Sequence, residues 1–128
     1  MNLAPLPRMV LRWDSLLSFV IVAAGLLAAP VEAELSGLPV GLIRGAALAL
    51  LPYAVVGVVV SSRRRVERAA VLGLAIFNGA WSLMTLLLSW SLAPSLVGVG
   101  LLSANVLLPA AVSVVLASAV RRPELVRP

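Results

Sequence analysis

Val58-Val59-Val60-Ser61-Ser62-Arg63-Arg64-Arg65-Val66-Glu67-Arg68 decides how this chain is read. An apolar run ends abruptly in a cationic turn, and another apolar run begins at once after it. The pattern recurs at both ends of the chain, with Arg8 and Arg12 around the start of the first run and Arg121, Arg122 and Arg127 after the last. Cationic connections stay on the cytoplasmic side of a membrane while neutral or acidic ones cross. Arginines on alternate connections therefore predict an even number of spans with both termini inside.

Composition agrees. The 128 residues are 62% hydrophobic and only 12% charged, and the mean hydropathy is +1.11, well outside the make-up of soluble domains. The net charge of +5 would suit a nucleic-acid partner only if it formed a basic face on a soluble domain. Here the arginines flank apolar runs, so nucleic acid is not expected and anionic lipid headgroups are the expected partners, at about 1 kcal/mol per arginine near a charged leaflet.

Four spans follow at about residues 10–29, 39–60, 69–89 and 95–120, since roughly 20 apolar residues cross a bilayer. The links are short, which makes neighbouring helices antiparallel and predicts an all-α, up-down bundle of four transmembrane helices in one domain. Ala29-Pro30-Val31-Glu32-Ala33 has some likeness to a cleavage site, but the first run is read as a retained helix. Glu32 and Glu34 are assigned to the outer link between the first two helices. Trp90 and Trp13 mark opposite interfaces. The expected location is the inner membrane of a bacterium.

The missing residue types restrict chemistry. Without His or Cys the chain lacks the usual ligands of haem, zinc, copper and iron–sulfur clusters, and without Lys it cannot form a Schiff base. No catalytic signature, cofactor or metal site is expected, and the chain is not read as an enzyme.

Polar and small residues within the spans are the candidates for anything more. Gly41, Gly45 and Ala49 recur at steps of four and predict a helix-contact face, within the bundle or in a dimer. Arg44 lies among them and breaks the inside rule; it is either an anchor reaching Glu32, Glu34 or lipid phosphate, or a substrate-binding charge. Asp14 is expected in the first turn of its helix, as a cap or an ion pair with Arg12. Asn78, Ser82, Thr85 and Ser89 share one face of the third span. Gly98, Asn105, Pro109 and Ser113 form a comparable seam on the fourth. At 1.5 Å per residue, Asn78 falls roughly 14 Å and Asn105 roughly 22 Å from the cytoplasmic arginines, too far apart in depth for a direct amide pair. Each is expected to bond a carbonyl freed by Pro52 or Pro109, or to line a small cavity or ligand groove.

Leu11-Arg12-Trp13-Asp14-Ser15, Leu51-Pro52-Tyr53-Ala54 and Asn78-Gly79-Ala80-Trp81 together resemble a pattern in a group of small bacterial four-helix membrane proteins of no assigned activity. The resemblance implies the four-helix threading and no substrate. Three functions stay open on the residues alone. The first is a noncatalytic accessory subunit packed against other transmembrane proteins of a respiratory or photosynthetic assembly. An oligomeric channel or transporter for small solutes is the second, and a lipid- or quinone-binding protein the third.

Overall fold

A computed structural model describes residues 1–92 and 94–121. It is all-helical there: α1 (Pro5–Leu27), α2 (Ala29–Ser36), α3 (Val40–Ser62), α4 (Arg68–Ser89) and α5 (Leu96–Arg121). Four of these, all but α2, are long and apolar enough to cross a membrane. Arg122 and Arg127 lie outside the described residues.

The apolar runs locate the long helices to within a few residues, with two informative differences. Helix α1 starts at Pro5, well before the apolar run, because proline is tolerated in a first turn where no N–H is needed. Arg8 therefore joins Arg12 within the helix. The outer link expected to carry Glu32 and Glu34 is itself helical. Pro30 lies in its first turn with Glu32, where a carboxylate suits the helix dipole, and Gly37, at φ 72°, ends α2 in the left-handed conformation.

The helices associate as two close antiparallel pairs, α1 with α3 and α4 with α5, which touch each other more sparingly. Small residues set the close approach in the first pair. A Cβ on Gly57 would run into the Ser15 side chain, and one on Gly25 would stand 2.8 Å from the Ala47 Cβ. In the second pair, Ser113 Oγ donates to the Ala75 carbonyl at 2.8 Å and Ser82 Oγ to the Val106 carbonyl at 2.6 Å. Helix α2 is pinned to the start of α5. The Ser95 N–H donates to the Ser36 carbonyl at 2.9 Å, while Ser95 Oγ accepts from the Gly98 N–H at 3.2 Å and so caps α5.

The described arginines other than Arg44 gather at one end. Arg8 donates to the carbonyls of Ser61, at 2.8 Å, and Arg63, satisfying acceptors that the end of α3 leaves open. The pairing of Ala75 with Ser113 brings Arg121 back toward Arg68. Arg44 stands exposed in the second turn of α3, toward the other end.

The Gly41–Gly45–Ala49 face does not pack within the bundle. All three residues are exposed, and a Cβ on Gly41 or Gly45 would meet nothing within 4 Å. Close packing falls instead on Gly25 and Gly57, because contact depends on which side of α3 faces α1, and a repeat of small residues is blind to that. Gly57→Ala is therefore expected to lower unfolding stability by about 1–3 kcal/mol through overpacking. Gly45→Ala should leave stability unchanged or raise it by up to about 1 kcal/mol through helix propensity. Denaturant unfolding in micelles, followed by circular dichroism, measures both.

Candidate functional site

Asp14 lies in the third turn of α1, about 14 Å along the axis from Pro5 at 1.5 Å per residue. Its position corrects the expected cap: the first turn of α1 holds no acid. The ion pair with Arg12 is not what the structure gives either, since residues two apart on a helix do not face one another and Arg12 is exposed. The carboxylate instead accepts a hydrogen bond from the Tyr53 hydroxyl of α3.

That hydroxyl is held from the other side. Asn78 Nδ2 donates to Tyr53 Oη at 2.9 Å and to the Leu74 carbonyl, one turn back on its own helix, at 2.9 Å. Asp14, Tyr53 and Asn78 thus form a chain from α1 through α3 to α4, crossing between the two helix pairs. Aromatic rings run beside it. Tyr53 stacks on Phe77 with centroids 4.8 Å apart and planes 6° from parallel, and Phe77 stacks on Trp81 at 5.7 Å.

Trp81 continues the polar line. Its Nε1–H donates to Asn105 Oδ1 of α5 at 3.1 Å, and Asn105 Nδ2 donates to the Leu101 carbonyl at 2.9 Å. Asn78 and Asn105 therefore do not bond each other. Both amides bond carbonyls four residues back on their own helices, not carbonyls freed by Pro52 or Pro109. The shared face of the third span also divides between partners, as Asn78 turns to Tyr53 and Ser82 to α5. Thr85 donates to the Trp81 carbonyl at 2.8 Å and Ser89 to the Leu86 carbonyl.

Two cavities flank this network. The larger, a partly open groove of about 380 Å³, lies between the helix pairs in the half that contains Arg44. Gly41, Gly45 and Ala49 form part of one wall, Leu101 and Leu102 part of another, and Trp81, Thr85 and Asn105 supply polar groups. Glu32 lines it on the α2 side. The smaller cavity, about 60 Å³, is bounded by Asp14, Ser18, Tyr53, Asn78, Asn105 and Pro109. Ile21, Leu50, Trp81 and Asn105 line both.

Among the sequence candidates, Asp14, Asn78 and Asn105 come together here, and Gly41, Gly45 and Ala49 border the groove. Arg12 and Arg44 remain apart from the network. Tyr53 is the residue that sequence reasoning passed over as a site. It is the only tyrosine in the chain, placed mid-span, where a phenol hydroxyl in hydrocarbon requires a partner. No protein-family model, curated protein or solved structure matches the chain.

The two asparagines are expected to differ in cost. Asn78 is 3% exposed, and Asn78→Leu strips the Tyr53 oxygen of its donor, for a loss of about 1–3 kcal/mol. Asn105 is only partly buried, and Asn105→Leu should cost nearer the 0.6 kcal/mol average of interhelical hydrogen bonds. Unfolding titrations of the two variants check the order; equal losses contradict it.

Proposed function

We propose that this is a noncatalytic, multi-pass protein of a bacterial inner membrane that holds an apolar or amphiphilic molecule of the lipid or quinone class between its two helix pairs. The observation behind this reading is the groove. Its volume of about 380 Å³ falls within the roughly 300–1,000 Å³ usual for ligand pockets, and an apolar lining with a few convergent polar groups is their usual make-up. Small residues at Gly41, Gly45 and Ala49 leave room for an acyl or isoprenoid chain. The Asn105 amide has a second N–H beyond the one given to Leu101, which suits a carbonyl or hydroxyl on the guest.

The up-down threading with both termini in the cytoplasm belongs to this proposal and rests on the arginine distribution. Trp90, 82% exposed at the C-terminal end of α4, is placed to sit at headgroup level, whereas Trp13, 67% exposed, shares the third turn of α1 with Asp14. Cysteines introduced singly at Arg64 and Glu34, in a chain that has none of its own, check the orientation. In intact cells an impermeant maleimide should label Glu34→Cys and leave Arg64→Cys unlabelled until the cells are opened.

A second reading is supported by the same uncovered face. Gly41, Gly45 and Ala49 would admit the helix of another transmembrane protein, as an accessory subunit requires. Purification in mild detergent, with mass spectrometry of both lipids and proteins, separates the two. The ligand reading predicts near-stoichiometric retention of one lipid or quinone species, lost in Ala49→Phe, which narrows the groove. Retention of a larger membrane protein with no enriched lipid favours the subunit reading.

A further inference from the structure

We infer that the smaller cavity is a binding site for one monovalent cation of about the size of sodium, independent of whatever occupies the groove. Two side-chain oxygens of its lining residues, Asp14 Oδ1 and Asn78 Oδ1, take no hydrogen bond among the described residues. Tyr53 donates to Oδ2 of Asp14, and among the described residues Oδ1 takes no hydrogen bond. Asn78 is 3% exposed, and both its hydrogen bonds are made by Nδ2. Its Oδ1 is not sealed in the packing, because the one sealed and unpartnered side-chain polar atom among the described residues is Asn2 Oδ1. Asn78 lines the cavity, and this oxygen is without a hydrogen-bond partner among the described residues.

The backbone contributes a further oxygen. Pro109 has no N–H to give the Asn105 carbonyl one turn earlier, and both residues border the cavity. Ser18 Oγ, which donates to the Asp14 carbonyl at 2.8 Å, still has lone pairs to offer. The space of about 60 Å³ exceeds the roughly 10–15 Å³ that one water needs, so an ion can retain a water or two.

Charge and ligand type select the ion. The set consists of oxygens, with no imidazole or thiolate, which disfavours zinc and the transition metals. A single carboxylate matches one positive charge, whereas calcium sites usually gather several, and among the described residues no group of three acidic, His or Cys side chains could hold a metal ion. The carboxylate also needs compensation. A charge within a span is costly unless paired, and the cavity beside Asp14 is lined by a phenol, a hydroxyl, an indole, amides and apolar groups but by no arginine.

Thermal unfolding of the full chain in micelles tests the site, with NaCl, KCl or choline chloride at one ionic strength. Sodium should raise Tm saturably by several degrees, choline should not, and potassium should act only at severalfold higher concentration. Asp14→Asn, whose amide oxygen still accepts from Tyr53, should abolish the sodium-specific rise. Pro109→Ala restores the N–H that covers the Asn105 carbonyl and relieves a helix-interior proline. It should fold as well as the parent, yet need severalfold more sodium for half the rise. The same Tm in NaCl and choline chloride overturns the proposal, as does a full rise in folded Asp14→Asn or an unchanged midpoint in Pro109→Ala.

Discussion

A carboxylate inside an apolar helix bundle must find a hydrogen-bond donor, and the arrangement of this protein follows from how Asp14 finds one. The donor is Tyr53 of α3, whose oxygen is in turn fixed by Asn78 of α4. In lipid the hydrophobic effect does little to drive helices together, so packing and interhelical hydrogen bonds decide their association. Within each pair, close packing and hydrogen bonds act together: Gly57 against Ser15 and Asp14 with Tyr53 in one, and the serine bonds to Ala75 and Val106 in the other. Between the pairs, contacts are sparse. There the Asp14–Tyr53–Asn78 chain and the Tyr53–Phe77 stack provide the specific tie.

The same division explains where the cavities lie. The polar tie draws the pairs together near mid-helix, and beyond Trp81 and Asn105 the walls separate into the groove. Gly41, Gly45 and Ala49 keep that groove wide because they project so little into it. At the other end Arg8 closes the structure by capping α3. One end is thus fastened by cationic groups on backbone carbonyls, the centre by neutral and acidic side chains, and the groove half by the α2–α5 junction at Ser36 and Ser95.

Much of the fold was legible in the sequence, because transmembrane length and apolarity are properties of single segments. The four long helices emerged within a few residues of their observed ends. Helix α2 did not, since its eight residues are too few and too polar for an apolar run, and its signals were the local pair of Pro30 in the first turn and Gly37 at the end. The site was legible only in parts. Asp14, Asn78 and Asn105 stood out as polar residues in apolar spans, but their partners depend on how the helices face one another, which period alone does not specify. For that reason sequence proximity points Asp14 to a helix cap or to Arg12, the nearest cation, whereas its partner is a tyrosine 39 residues away. The stripe of small residues on α3 misled in the same way, because spacing cannot tell a packed face from an open one.

The tie between the pairs is tested most directly by a double-mutant cycle on Tyr53→Phe and Asn78→Leu, read by reversible unfolding in micelles. Phenylalanine keeps the ring that stacks on Phe77 and removes only the hydroxyl. A coupling of about 0.6–1.7 kcal/mol, the range between average and strongest interhelical hydrogen bonds, is the result this account predicts. A coupling below about 0.3 kcal/mol, the level at which independent sites simply add, would contradict it.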